Sequence, residues 1–445
     1  MRTLVLLALA IGIISCAQQE EGPKDIMVSG QIENANGDSI AFNKNGDITK
    51  FAVDSTGSFA GTLKGEKGYY QFSYSREYGT AFMSPGDDLK ISFDSKQFDE
   101  SMSYEGTGAA ANNYLAAKFL LVEEQQGANP TNVLYSMDED SFVLTLSGMG
   151  DEVLGLLEKT ELDEAFKSVE KSNIKFDHLS KMDRYEAYHK YFAKLDSFEA
   201  SEEFHAQFAD IDYTNEADFN MIPAYRDLVM AHYFDGKLEK VLNNVKDVAS
   251  TDIKDAVLDR LTLYLSPGTD SLETRVNEMK AMASSEDLKA ELDKQYASMK
   301  VLTKGNASPE FNFVSVDGGM VSLESLKGKN VYIDVWATWC GPCKAEIPHL
   351  KTLEKDYHGK NIEFVSISVD EPKDEQKWRD MIADKELKGI QLMSDNGWDT
   401  GFVDNYLIKG IPRFILLDAE GNIVSADAPR PSSDEEIRGM IDELI

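Results

Sequence analysis

The stretch "WATWCGPCKAEIP", residues 336–348, sets two cysteines three positions apart at the junction of two unlike textures. Before them runs "NVYIDVWA", an apolar strand, and after them the spacing predicts a helix from about Pro342 to Asp356. Cys340 therefore falls at or just before a helix N-terminus, where unpaired backbone N–H groups and the helix dipole favour an anion. The thiolate is the reactive form of cysteine, so this placement predicts an exposed, nucleophilic sulfur at Cys340. Cys343 lies one turn further on, close enough to form a disulfide and more buried. One attacks and the other resolves.

The remaining cysteine isolates that pair. The chain has three cysteines in 445 residues, and the third is Cys16. Met1-Arg2 gives a short positive start, and "LVLLALAIGII", residues 4–14, is an apolar run too short to span a bilayer but suited to a signal-peptide core. "IISC", residues 13–16, puts apolar residues and a small Ser directly before a Cys, which resembles the lipobox of bacterial lipoproteins. That resemblance implies cleavage before Cys16, lipidation of Cys16 as the new N-terminus, and a cell-envelope protein anchored to a membrane by that lipid. No later segment is long and apolar enough to cross a membrane, so the rest is expected to be a soluble body on that lipid tether, facing the periplasm. With Cys16 consumed, an exported chain keeps no cysteine for a structural disulfide, and the last two are there for chemistry.

Length predicts two or three domains, and a hydrophobic share of 42% with 10% aromatics is that of a globular protein. The net charge of −33 repels nucleic acid and excludes it as a partner. The reading is a multidomain chain: signal peptide 1–15, lipidated Cys and tether 16–25, an antiparallel β-sandwich or barrel-like domain 26–105, a helical domain 106–302, and an α/β domain 306–445. In the β region, short runs such as "IMVSGQIE", "SFAGTL" and "DLKISFD" alternate with turn signals such as "NGD" and "SPGDD". In the middle, "DRYEAYHKYFAKLDSF" and its neighbours carry apolar residues at three- and four-residue intervals. His178, His189, His205 and His232 fall there without metal-ligand spacing and read as surface or core residues. Beyond "TKGNASPEF", strands and helices alternate, which predicts a largely parallel sheet flanked by helices, with a hairpin at "DAEGNIV".

A CxxC can also be half of a zinc site, but that needs a second ligand pair, and only His349 and His358 lie nearby. No metal and no cofactor is expected.

"VYIDVWATWCGPCK" resembles the active-site strand and helix of the thioredoxin superfamily. Residues 306–445, about a third of the chain, are similar to its TlpA/ResA-like envelope branch, through "SPEFNFVSVDGGMVSLESLKGKNVYIDVWATWCGPC" and "KGIPRFILLD". The N-terminal arrangement resembles the domain of unknown function that precedes TlpA-like domains in Bacteroidota lipoproteins. The resemblance implies that Pro412 is the superfamily's cis-proline, beside the Cys340–Cys343 redox disulfide, and that substrate pairs with backbone at Ile411. Trp339, Gly341 and Pro342 complete the expected substrate-binding set. Residues 371–405 match the insertion that envelope members carry. Arg413, where a small Thr is common, is expected to place a bulky cation beside the groove.

Two carboxylates join the expected catalytic set. Asp334 lies in a strand expected to be buried on both faces; an unpaired carboxylate there predicts a raised pKa and proton transfer, and it matches the buried Asp of thioredoxins. Glu346, three residues after Cys343, matches the active-site Glu of the ResA-like branch.

The expected function is a thiol–disulfide oxidoreductase acting on disulfide-containing exported proteins. Gly341-Pro342 is the dipeptide of reducing thioredoxin and favours the reducing direction. The family resemblance then implies a membrane-embedded thiol reductant as electron donor. The alternatives are an oxidase or isomerase, and a partner-binding lipoprotein with an accessory redox domain. A peroxidase of this fold needs Pro seven and Thr three residues before its reactive Cys, where this chain has Ile333 and Ala337.

Overall fold

The structure, a computed structural model, describes residues 25–234 and 236–445. The signal peptide read over 1–15, Cys16 and the tether as far as Lys24 lie outside the described residues. The chain divides into two compact units, Met1–Phe234 and Asp235–Ile445.

The first unit opens with eight strands: β1 (Ile26–Glu33), β2 (Ser39–Lys44), β3 (Asp47–Ala52), β4 (Ser58–Leu63), β5 (Gly68–Tyr74), β6 (Glu77–Met83), β7 (Asp88–Asp94) and β8 (Ser103–Gly106). They form two four-stranded sheets, ordered β4-β1-β7-β8 and β3-β2-β5-β6. Alternate residues of both sheets, among them Val28, Ile91, Phe42 and Phe72, meet in one core, so the arrangement is a sandwich. All pairings are antiparallel except β1 with β7, which run parallel. Alternation in sequence tells which face of a strand is buried but not which strand lies beside it.

The helical part of this unit begins at Ala109–Ala128 and continues with Glu139–Lys159 and Glu164–Asp183. Asp138 and Asp163 cap the latter two, their side chains accepting first-turn N–H groups. The first helix is tied to the sandwich by two consecutive asparagines. The Asn112 amide pairs with both backbone groups of Phe82 in β6, and the Asn113 amide with both of Tyr104 in β8.

The second unit holds helices between Leu238 and Lys300 and a seven-stranded sheet. Its strands are β9 (Asn312–Ser315), β10 (Met320–Ser322), β11 (Asn330–Trp336), β12 (Ile362–Ser368), β13 (Ile390–Met393), β14 (Arg413–Leu417) and β15 (Ile423–Ser425), in the order β10-β9-β13-β12-β11-β14-β15. The three central strands β13, β12 and β11 are mutually parallel and the rest add antiparallel. Helices Gly341–Asp356 and Asp434–Asp442 cover one face through Leu353, Tyr357, Ile437 and Ile441, packed on Tyr332, Phe364 and Phe414. Helix Glu375–Lys385 covers the other with Trp378 and Ile382. This is a thioredoxin-like α/β domain. The segment 371–405 supplies that helix and β13, which pairs with β12 inside the sheet.

Candidate active site

Every residue of β11 is buried, as befits a strand with neighbours on both sides and helices on both faces. The chain leaves it through Ala337, Thr338 and Trp339 and enters the helix at Cys340, which is its N-cap. Asp370 fixes this short passage. It is fully buried at the end of β12 and accepts the Thr338 N–H at 2.9 Å, the Thr338 hydroxyl at 2.7 Å and the Ser368 hydroxyl at 2.7 Å.

Cys340 and Cys343 are joined by a disulfide, with their Cα atoms 5.3 Å apart. The Cys343 N–H donates to Sγ of Cys340 at 3.1 Å, one of the free donors of the helix start directed at the sulfur. Pro342 occupies the first turn, where its missing N–H costs nothing.

The exposed sulfur predicted for Cys340 is corrected here: Cys340 is 4% exposed and Cys343 3%. Helix position alone would leave the first cysteine open, but Sγ of Cys340 lies 3.8 Å from the Ile411 carbonyl oxygen, and both cysteines belong to the core cluster that Ile411 packs against. The peptide between Ile411 and Pro412 is cis. The exposed surface here is Trp339, at 57%, with Gly341 and Pro342. The expected substrate-binding residues thus lie on two segments, 339–342 and 411–412, that meet at the Cys340 sulfur.

Asp334 and Glu346 are both buried. Burial in the central strand, and then the negative charge of Glu346, push the Asp334 carboxyl up from its usual 3.8 to about 7. Glu346 is held at both oxygens by Ser432, whose N–H donates at 3.0 Å and whose hydroxyl donates at 2.9 Å. Arg413, directly after cis-Pro412, is held by its neighbours: its Nε donates to the Ala426 carbonyl at 2.9 Å and its guanidinium pairs with Asp427 at 3.1 Å. Both partners lie in the turn that follows β15, so this cation is already paired.

Asp370 and Ser432 are the site residues that the sequence reading missed. Asp370 had a legible signal, a carboxylate directly after the apolar run "IEFVSISV". Ser432 had none. His349 and His358 are exposed, and among the described residues no group of three or more His, Cys, Asp or Glu is placed to hold a metal.

A disulfide so placed reacts by exchanging sulfur partners with a second thiol or disulfide. The domain is a thiol–disulfide oxidoreductase. Residues 303–441 match the family model described as Redoxin. The thiol-disulfide oxidoreductase ResA of Bacillus cereus is 29% identical over 149 residues, covering 34% of this chain and 83% of that protein. ResA of Bacillus subtilis is 28% identical over 131 residues, 29% of this chain and 69% of that one. A crystal structure of a Bacteroides vulgatus protein assigned as a thiol-disulfide oxidoreductase is 39% identical, covering 33% of this chain and 99% of that chain with a TM-score of 0.30. Residues 303–441 thus form a thioredoxin-superfamily domain, similar to the ResA thiol-disulfide oxidoreductases.

Proposed function

We propose that this chain reduces disulfide bonds of exported proteins at the cell envelope through the Cys340–Cys343 dithiol. The observation that carries this reading is Gly341-Pro342 between the cysteines, the dipeptide of thioredoxin. Thioredoxin's potential is about −270 mV, against about −120 mV for a strong periplasmic oxidant.

In the reduced chain, the Cys340 thiolate attacks one sulfur of the substrate disulfide. An S–S bond to Cys340 forms, and the other substrate sulfur leaves as a thiolate and takes up a proton. Cys343 then gives its proton to a carboxylate and attacks Sγ of Cys340. The internal disulfide closes and the second substrate thiol departs, two electrons having passed to the substrate. Asp334, with its carboxyl near 7, is suited to take and return that proton at neutral pH. Glu346 tunes or shares this role through its charge. The substrate backbone pairs beside cis-Pro412 at Ile411, with Trp339, Gly341 and Pro342 forming the opposite lip.

Each turnover consumes the dithiol, so a membrane-embedded thiol reductant must regenerate it in an oxidising compartment. Lipidation at Cys16 anchors the chain to a membrane of the envelope. Among the described residues no helix is long and apolar enough to cross one.

The deciding experiment is the reduction potential of the pair, measured in glutathione buffers with thiol alkylation. A value near or below about −250 mV supports the reductase; one above about −150 mV makes the chain an oxidase or isomerase.

A further inference from the structure

Strand β6 is the last strand of its sheet and pairs only with β5. Its Phe82 turns both backbone groups away from β5, and the Asn112 side chain meets them at 2.7 and 2.9 Å. Alternation turns the N–H and C=O of Thr80 and Tyr78 the same way. Among the described residues nothing bonds them. Across the opening, β8 ends the other sheet, and Asn113 satisfies Tyr104 there at 3.0 and 2.9 Å. One helix thus imitates a strand for a single residue on each edge and leaves the rest of β6 bare.

That bare edge borders a cleft of about 320 Å³, walled by Phe98, Tyr104, Leu115 and Phe119. Tyr78 and Phe119 stand 62% and 47% exposed at its mouth. The Lys118 amine, also at the cleft, is taken by the fully buried Glu170. The rim is acidic: Asp99 lines the cleft, and burial together with the charges of Glu123, Glu77 and Glu100 holds its carboxyl above the usual range. Edge strands are normally guarded by proline, lysine or a bulge, and β6 has none of these over 78–83.

We propose that this open side of the sandwich binds an extended apolar polypeptide segment flanked by basic residues, which adds as a strand to β6. Unpaired amides and carbonyls at two-residue spacing recognise backbone whatever its sequence, the aromatic walls take alternate side chains, and the acidic rim selects Lys or Arg on either flank. The ligand class is an unfolded or partly folded polypeptide, which is also the state in which a protein disulfide lies open to exchange. The site is separate from the dithiol and does not depend on the direction of electron flow.

The test uses the full chain with Cys340→Ser and Cys343→Ser, so that no covalent capture contributes. The probe is a fluorescein-labelled, cysteine-free peptide, Lys-Thr-Val-Phe-Val-Thr-Lys, followed by anisotropy. Saturable binding is expected, weakened about tenfold or more by Thr80→Pro, which removes an outward N–H, and by N-methylation of alternate peptide amides. Replacing the flanking Lys by Glu should weaken it as well. Phe119→Asp, at an exposed position, gives an independent loss should Thr80→Pro disturb the strand. No saturable binding, or binding indifferent to both N-methylation and Phe119→Asp, overturns the proposal.

Discussion

Ser432 grips Glu346 by both carboxylate oxygens, across 86 positions of sequence, and the charge so held raises the proton affinity of Asp334 in the neighbouring strand. Removing that charge leaves burial alone acting on Asp334. Glu346→Gln should therefore move the inflection in the pH dependence of disulfide reduction from near 7 to lower pH. A profile that stays in place would show that Glu346 does not tune the carboxylate.

Asp334 also couples stability to pH. Folded, it keeps its proton up to about 7; unfolded, it loses it near 3.8. Between those values the folded chain binds one proton more than the unfolded one, so stability falls as pH rises through the window, by roughly 4 kcal/mol in total. Below the window the penalty is absent, and above it the penalty is complete. Asp334→Asn should stabilise the chain at about pH 8, leave it little changed at about pH 4, and slow reduction at neutral pH. Urea midpoints at the two pH values decide; an equal gain at both would remove ionisation as the cause.

Asp370 has a different task. With no exposed surface and three donors on its oxygens, it sets the passage that leads into Cys340. Asp370→Ala strands a buried N–H and two hydroxyls and should cost on the order of 3 kcal/mol or more, with Asp370→Asn costing less. Thermal melts give the loss. If the alanine variant melted like wild type, the clamp would have no structural weight.

The order of attack is separable by trapping. A chain with Cys343→Ser should accumulate a mixed disulfide at Cys340 that survives non-reducing electrophoresis and yields the partner's identity by mass spectrometry, whereas Cys340→Ser should trap nothing. The reverse pattern would exchange the two roles.

Much of this was legible in the sequence because it is local. The run "NVYIDVWA" shows a buried strand and the misfit of Asp334 within it, and Gly-Pro between cysteines marks a helix start. What escaped depends on long-range placement. Ser432 looks like any serine before a helix until the fold sets it against Glu346. Cys340 looks open until the distant Ile411 covers it, and Arg413 looks free until Ala426 and Asp427 claim it. The parallel pairing of β1 with β7 likewise brings together strands separated by the whole of the other sheet.

The two asparagines at the start of helix Ala109–Ala128 make the sandwich and that helix one inseparable piece. A fragment ending at Gly106, where the strands of the sandwich stop, would strip Phe82 and Tyr104 of their side-chain partners, extending the bare edge of β6 and opening that of β8. Such edges pair with each other between molecules, so that fragment should self-associate more strongly than the full chain.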